Sequence, residues 1–156
     1  MNDATAIVDL PDLAATQALG TAIAAQLRAG DVVALSGALG AGKTTCARAI
    51  LHALGHAGEV PSPSFAIIEV YDAPSMRLAA VHADFYRLAN PDEVEQLGLD
   101  DYRADAALIA EWPEHAGGFA HEAACLSVAF EVYANGRRAF LRGGAAWAGR
   151  MPVVAR

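Results

Sequence analysis

Residues 37–44 read Gly-Ala-Leu-Gly-Ala-Gly-Lys-Thr and match in full the pattern G-x-x-x-x-G-K-[ST] of a phosphate-binding loop. The glycines let the main chain approach an anion with its N–H groups pointing inward, and the helix that follows presents its positive end to the same phosphates. Lys43 is the only lysine among the eleven Lys and Arg residues. Its compact ammonium suits a site between phosphates better than a planar guanidinium does. The motif therefore predicts a nucleotide phosphate site in which the Thr44 hydroxyl faces Mg²⁺.

The segments on both sides of this loop have the periodicity that such a site needs. Residues 31–36 form a short apolar run rich in branched side chains, which predicts a buried strand. Residues 44–54 carry apolar side chains at helical spacing. The order strand, glycine loop, helix favours a phosphate site over the alternative, an ordinary glycine-rich turn.

Length and composition predict one domain over residues 1–156, with a C-terminal hairpin and an arginine-bearing tail from about residue 124. The 54% hydrophobic content is sufficient for a substantial core, yet no run of eighteen apolar residues occurs. Acids rather than a signal pattern lie near the N-terminus, so we expect a cytoplasmic protein with no membrane partner. Cys46 and Cys125 lack metal-ligand spacing, and we assign them no catalytic role.

Charge is distributed unevenly along the chain. All eighteen acidic residues lie before residue 132, whereas the segment after it carries five arginines. An acidic body repels a polyanion, which argues against autonomous binding to nucleic acid. Two interpretations of the tail are open, a contact surface for an acidic partner or RNA and a solvated edge hairpin. Its arginines are Arg137, Arg138, Arg142, Arg150 and Arg156.

The alternation of strand and helix patterns predicts a single-domain, three-layer α/β fold of the P-loop NTPase type with a mixed sheet. Strands are predicted at 5–10, 31–36, 65–71, 77–83, 105–110, 125–133 and 137–141. Helices are predicted at 11–28, 44–54 and 91–97, the last with Asn90 as its N-cap. The pairs 65–71 with 77–83 and 125–133 with 137–141 are expected to form hairpins.

Two carboxylates follow apolar strands and are candidates to act on a bound nucleotide. Asp84 ends the run Leu78 to Ala83, and Glu111 ends the run Ala106 to Ala110. A strand-end acid beside a P-loop binds Mg²⁺ or orients the attacking water, and spacing alone does not assign the two roles. A solvated cap at the strand end is the alternative for each.

Four further features have both a structural and a functional interpretation. His82 lies in an alternating strand, which favours a structural histidine over a base. Trp112 and Pro113 shape the site or a docking surface, or else Trp112 is a half-buried core residue. The segment 62–65, Ser-Pro-Ser-Phe, is a switch-like loop that places hydroxyls near the γ-phosphate, or a plain turn into a strand. The first helix, around Asp12 and Thr16, is a candidate to lie near the base.

Together these segments resemble the TsaE family, also called YjeE, the small ATPases of bacterial tRNA threonylcarbamoyladenosine biosynthesis. The loop up to Thr45 resembles the family's Leu-Gly-Ala-Gly-Lys-Thr-Thr, and residues 62–65 resemble its Ser-Pro-Thr-Phe. His-Ala-Asp-Phe-Tyr-Arg-Leu at 82–88 resembles its His-x-Asp-x-Tyr-Arg-Leu, and residues 111–112 resemble its Glu-Trp pair. The resemblance spans roughly residues 5–115, and the tail after Gly117 carries no such signature.

The resemblance implies an ATPase that uses ATP and Mg²⁺, with Thr44 and Glu111 at the metal and Asp84 serving hydrolysis together with Lys43. Ser62 and Ser64 would lie on a segment that senses nucleotide state. The implied partners are a kinase-like transferase, which modifies the adenosine beside the anticodon, and its paralogous scaffold, so that tRNA is met only through the complex. The residues that the resemblance places at the ATP phosphates are Leu39, Gly40, Ala41, Gly42, Lys43, Thr44 and Thr45.

The chain departs from the family pattern at three positions. Ala38 stands where an aspartate is usual, Ser64 where a threonine is usual, and Ala110 where an isoleucine is common. Main-chain N–H groups make the phosphate contacts of such a loop, so the change at 38 leaves them intact. It removes whatever role the family's carboxylate has in shaping the loop or meeting a partner, and slower or more partner-dependent hydrolysis is expected.

Other functional classes remain as alternatives. A P-loop kinase of a small metabolite would use Asp84 to deprotonate an acceptor and Arg87 to clamp a phosphate, but no arginine-rich lid segment follows the last core strand. A nucleotide-binding module without hydrolysis is also open. A GTP switch is disfavoured because a chain with one lysine, at 43, has no Asn-Lys-x-Asp motif.

Overall fold

A seven-stranded mixed sheet forms the centre of the computed structural model, which describes residues 4–38, 42–61 and 68–154. The strand order is β1-β7-β6-β2-β5-β4-β3. Strands β6, β2, β5 and β4 are parallel to one another, and β7, β1 and β3 join by antiparallel pairing. The strands are β1 (Ala4–Leu10), β2 (Val32–Gly37), β3 (Ile68–Tyr71), β4 (Ala80–Asp84), β5 (Ala107–Glu111), β6 (Cys125–Tyr133) and β7 (Gly136–Gly143).

The described ranges also contain four α-helices and two 3₁₀ turns. The α-helices are α1 (Leu13–Gln26), α2 (Lys43–Ala53), α3 (Glu93–Leu97) and α4 (Leu99–Arg103), and the 3₁₀ turns are Pro113–Ala116 and Ala145–Trp147. Helix α1 begins at Leu13, two residues after the predicted start, and the Asp12 carboxylate caps it by accepting a 2.9 Å hydrogen bond from the Ala15 N–H. None of the described helices combines the length and apolarity that a membrane span requires.

The helices cover both faces of the sheet, which gives the predicted three layers. On one face Val33 and Leu35 of β2 pack with residues of α1 and α2, such as Ile23 and Ile50. On the other face Val32 and Ala34 pack with Leu99 of α4 and with the partly buried apolar residues of α3. The alternation follows from the strand period of two, and burial of both faces explains why the central strands read as continuous apolar runs.

Helices α1 and α2 approach each other closely through a glycine. A Cβ at Gly20 of α1 would lie 2.5 Å from the Ala49 Cβ of α2 and 2.9 Å from the Cys46 carbonyl oxygen. No larger residue fits there without separating the helices. This contact holds the helix of the phosphate loop against the first helix.

The predicted strands and helices are confirmed in the described ranges, with shifts at their ends. Strand β5 begins at Ala107 rather than at 105, because Asp105 has a left-handed backbone (φ 61°) that a strand does not accommodate. Helix α3 begins at Glu93, and Asn90 accepts a hydrogen bond from the Asp92 N–H instead of serving as the N-cap. The sequence analysis did not predict the five-residue helix α4, which follows α3 after the single residue Gly98.

The C-terminal hairpin is not an edge of the sheet. Strand β1 pairs with β7 along its whole length, from Ala4 opposite Gly143 to Leu10 opposite Arg137, and so covers the hairpin. Among the tail arginines, Arg150 is buried and makes two hydrogen bonds to the Asp31 carboxylate, 2.7 and 2.8 Å long. The structure thus contradicts the interpretation of the tail as a solvated edge hairpin.

Candidate functional site

The phosphate-loop motif joins the end of β2 to the start of α2. Gly42, the residue before the helix, has φ 117°, a conformation that side chains other than glycine rarely adopt. Helix α2 then begins at Lys43, with Thr44 and Thr45 in its first turn. Leu39, Gly40 and Ala41 lie outside the described residues, as do Ser62 and Ser64. The described ends of the motif have the strand-to-helix arrangement that the sequence predicts.

The Lys43 ammonium is buried at the mouth of this loop. Its Nζ donates hydrogen bonds of 2.6 and 2.8 Å to the carbonyl oxygens of Gly37 and Ala38, and the side chain is only 4% exposed. Burial lowers the pKa of Lys43, and the nearby charges of Glu111, Glu114 and Asp84 oppose that shift. The contact with Ala38 is made by its main chain, so it does not depend on which side chain stands there.

Thr44 and Glu111 are in direct contact. The Thr44 hydroxyl donates a 2.7 Å hydrogen bond to Oε1 of Glu111, and Oε2 of the same carboxylate lies 2.6 Å from Nε2 of His82. Glu111 is 2% exposed and His82 is fully buried. The structure therefore places two of the predicted site residues together and adds His82 as a direct neighbour of Glu111.

Asp84 lies beside Glu111 on the adjacent strand. The two residues are opposite each other in the parallel pairing of β4 with β5, and Leu35 at the end of β2 is opposite Glu111 on the other side. Asp84 is 6% exposed, and its Oδ1 accepts a 2.9 Å hydrogen bond from the Tyr86 N–H. Both carboxylates are thus buried at the carboxyl edge of the parallel strands, the edge at which α/β sheets bind ligands, and neither is a solvated cap.

An aromatic group lies next to the phosphate loop. The centroid of the Trp112 ring is 4.5 Å from the Lys43 Nζ. The backbone of Trp112 is left-handed (φ 54°). Tyr86 and His115 contact the same ring, with centroids 4.9 and 5.3 Å away. Trp112 thus lies beside the phosphate loop, and its partly buried side chain also packs against the core on that face of the sheet. Sequence reasoning missed Tyr86 and His115, although Tyr86 follows Asp84 by two positions.

A recess of about 320 Å³ opens beside the start of α2. Thr45 and Gly42 line it from the loop side, and Thr16 lines it from α1. Asp12 also lines it, but one of its oxygens is engaged in capping α1. Asn135, Gly136 and Arg137, at the β6–β7 turn, also line the recess, and the sequence did not connect these residues with the site.

The oxygen atoms of Thr44 and Glu111 are of the type that Mg²⁺ prefers. Magnesium is commonly held by one or two protein oxygens together with phosphates and water. Within the described ranges no group of three or more His, Cys, Asp or Glu residues is placed to hold a metal ion by itself. The hydroxyl and carboxylate pair fits a metal ion that arrives with a nucleotide.

Comparison with known proteins gives the family. The family model "Threonylcarbamoyl adenosine biosynthesis protein TsaE" matches residues 10–140. Relatives named "tRNA threonylcarbamoyladenosine biosynthesis protein TsaE" are 46% identical over 97 residues in Streptomyces coelicolor, 40% over 107 in Haemophilus influenzae and 41% over 119 in Synechocystis. These matches cover 62%, 68% and 73% of this chain. The chain spans about two thirds of the first two relatives (66% of each) and 74% of the third.

A solved structure has the same fold. The crystal structure of Bacillus subtilis YdiB superposes with a TM-score of 0.74 at 24% sequence identity, over 95% of this chain and 92% of that one. The mixed-sheet fold is therefore shared with a protein of low sequence identity. Together with the family model, which matches most of the chain, the comparisons show that this chain belongs to the TsaE family of threonylcarbamoyl adenosine biosynthesis proteins.

Proposed function

We propose that this chain is an Mg-ATP-dependent accessory ATPase required for threonylcarbamoyl modification of tRNA at the adenosine beside the anticodon. It acts in the cytoplasm with a transferase and its scaffold, and it meets tRNA only through that complex. The observation that carries the proposal is the convergence of Lys43, Thr44 and Glu111 at the end of β2, where the phosphate-loop motif begins its helix.

The triphosphate would lie on the loop between β2 and α2. Main-chain N–H groups at the start of α2 and the positive end of that helix favour an anion there. Lys43 is buried next to this position and already donates to two loop carbonyls, so it can exchange those partners for phosphate oxygens. The recess bordered by Thr16 and Thr45 supports placement of the nucleoside beside the same helix.

Thr44 and Glu111 would hold Mg²⁺ through their oxygens. When bound, the metal neutralises charge on the β- and γ-phosphates. Asp84 is the candidate to orient and deprotonate the attacking water, because it lies beside Glu111 in the sheet while the Glu111 carboxylate is engaged with Thr44. The hydrogen bond from the Tyr86 N–H restrains one Asp84 oxygen.

The structure of the segment after β5 favours hydrolysis of ATP over transfer of its phosphate to a small metabolite. Kinases of that type close an element over the acceptor. Between Glu111 and Val154, all of which is described, the chain forms two 3₁₀ turns and the β6–β7 hairpin, with no α-helix to serve as a lid. No observation in this structure specifically favours the kinase alternative.

A phosphate-release assay tests this proposal. Purified chain is incubated with ATP and Mg²⁺, alone and with the transferase and scaffold proteins, and inorganic phosphate is measured. We expect slow release alone and faster release with the partners, without any added acceptor. Product that appears only after addition of a metabolite acceptor would indicate a kinase. Nucleotide binding by calorimetry with no phosphate release under any condition would indicate a binding module.

A further inference from the structure

His82 is a buried polar residue to which the proposed function assigns no role. It lies in β4 two residues before Asp84 and is paired across the sheet with Ile109 of β5. Ala107 and Glu111 lie two positions before and after Ile109. Because side chains alternate along a strand, both are on the same face of β5 as Ile109. The His82 ring therefore reaches along the sheet to Glu111, and the distance from Nε2 to Oε2 is 2.6 Å.

The two oxygens of Glu111 have different partners. Oε1 accepts from the Thr44 hydroxyl at 2.7 Å, and Oε2 accepts from His82 at 2.6 Å. The carboxylate is 2% exposed, so solvent contributes little to its orientation. A rotation of the carboxyl group would lose both hydrogen bonds, and the contact with His82 therefore keeps Oε1 directed at Thr44.

The other ring nitrogen identifies the tautomer of His82. Nδ1 is buried and has no hydrogen-bond partner among the described residues. A proton on Nδ1 would be a buried donor without an acceptor, which costs more than an unused lone pair. A proton on Nε2 satisfies the contact with the Glu111 carboxylate, whose oxygens accept hydrogen bonds. This arrangement assigns His82 as the donor to Glu111.

We propose that His82 is a positioning residue that preorganises Glu111 and Thr44 for Mg²⁺, an inference that rests on the proposed function. It does not touch nucleotide or metal itself; it acts through the oxygen of Glu111 that faces away from Thr44. Groups that orient a metal-binding side chain in this way typically change metal affinity by about 10- to 100-fold. Replacing such a positioning group leaves unchanged the nucleotide contacts that do not involve the metal.

The test measures the Mg²⁺ requirement of nucleotide binding in three variants. Binding of the non-hydrolysable analogue AMPPNP is followed by calorimetry in EDTA and over a Mg²⁺ series. We expect His82→Leu to need about 10- to 100-fold more Mg²⁺ than the parent, with unchanged affinity in EDTA. His82→Gln, whose amide N–H can take the position of Nε2, should restore most of the difference. Ile109→Val, a buried change in the same row of the sheet without a polar contact, should match the parent.

Several outcomes would overturn the inference. Equal Mg²⁺ requirements in His82→Leu and the parent would show that Glu111 is positioned without His82. An equally raised Mg²⁺ requirement in His82→Leu and His82→Gln would show that the effect comes from the packing of the side chain and not from its hydrogen bond. Failure of the parent chain to bind AMPPNP in EDTA and in Mg²⁺ would instead overturn the proposed function, and this inference with it.

A measurement on the unmodified chain does not depend on how the variants fold. Nitrogen-15 NMR of the His82 ring at neutral pH distinguishes its tautomers directly. We expect a proton on Nε2, the nitrogen that faces Glu111. An Nε2 without a proton would contradict the donor role and with it the inference.

Discussion

Thr44 and Glu111 are separated by 67 positions in the chain, yet a 2.7 Å hydrogen bond joins their side chains. Thr44 belongs to the first turn of α2, and Glu111 is the last residue of β5. The bond exists because β5 pairs with β2 in parallel and so ends beside the loop that leaves β2. The hydrogen bond therefore links the first turn of α2 directly to the carboxylate that we propose for the metal.

Replacing Lys43 by alanine should abolish ATP turnover. The ammonium is the buried cation of the loop, and loss of one preorganised donor to a developing negative charge typically costs about 100-fold or more in rate. Phosphate release measures the loss, and circular dichroism should show a retained fold, since burial already disfavours this charge in the folded state. Arg28→Ala, which removes an exposed cation, is the control. Unchanged turnover in Lys43→Ala would remove Lys43 from the site.

Replacing Glu111 by alanine should remove the Mg²⁺ dependence of nucleotide binding while leaving binding in EDTA close to that of the parent. The substitution deletes the carboxylate that is bonded to Thr44 and leaves the main chain of the loop unchanged. Calorimetry with AMPPNP over a Mg²⁺ series measures both quantities. Glu95→Ala, an exposed acid of α3, matches the change in charge and should behave as the parent. An unaltered Mg²⁺ affinity in Glu111→Ala would transfer the metal role to Asp84.

Replacing Asp84 by asparagine should slow hydrolysis without weakening binding. An acid that orients or deprotonates water typically contributes about 10²- to 10⁴-fold to a rate. The amide is nearly the same size and its oxygen still accepts from the Tyr86 N–H, so the site should keep its shape. Single-turnover phosphate release and AMPPNP calorimetry separate the two effects. Asp100→Asn, an exposed position on α4, is the control, and an equal loss of rate and affinity in Asp84→Asn would argue for a structural role.

Replacing Arg150 by alanine should destabilise the fold strongly. Its guanidinium donates to both Asp31 oxygens and to the main-chain oxygens of Gln26 and Ala146, in a buried position beside Trp147. Removing one member of a buried ion pair typically costs about 3–5 kcal/mol, because the remaining carboxylate has no comparable partner.

Urea unfolding measures this cost, and the chain offers a matched surface pair as control. Arg138 and Asp9 are joined by a 2.7 Å ion pair in which both side chains are far more exposed. Arg138→Ala should therefore change stability little. Similar losses in the two variants would show that burial does not decide the strength of these pairs.

The two cysteine thiols should be unreactive in the folded protein. Burial raises the pKa of Cys46 to about 12 and also raises the pKa of Cys125. The folded state therefore binds more protons than the unfolded state once pH exceeds the ordinary thiol pKa of 9.0, so stability should fall between about pH 9 and pH 12.

Thiol titration with a disulfide reagent checks this prediction. Both cysteines should react at the rate of unfolding under native conditions and at once in denaturant. The Cys46→Ala variant should lose less stability than the parent between pH 9 and pH 10. Rapid reaction of Cys46 in the native protein would contradict the burial that we describe.

The sequence was informative wherever function depends on a contiguous segment. The phosphate loop is such a segment, because a strand, a glycine loop and a helix that follow one another in the chain also follow one another in space. Strand ends were predictable for a similar reason, and they led to Asp84 and Glu111 as candidates. Family motifs in the same order pointed to the TsaE family, which the comparisons show.

Contacts between distant segments were not predictable in the same way. His82 was expected to be a structural histidine, and its pairing with Glu111 depends on the register of β4 against β5. The tail arginines were interpreted from charge alone, whereas Arg150 finds Asp31 across 119 positions. Periodicity reports which face of an element is apolar, but it contains no information about which strand lies next to which.

The sequence alone therefore determined the residue types of the candidate site: a phosphate-loop motif with one ammonium, two strand-end carboxylates and an α/β alternation that buries their strands. Only the tertiary structure decided that Glu111 bonds to Thr44 and that Asp84 lies beside Glu111. The physical reason is that a local motif is specified by main-chain conformation and side-chain type over a few residues. A site assembled across strands is specified by the packing of the whole sheet, which sums many weak contacts from all parts of the chain.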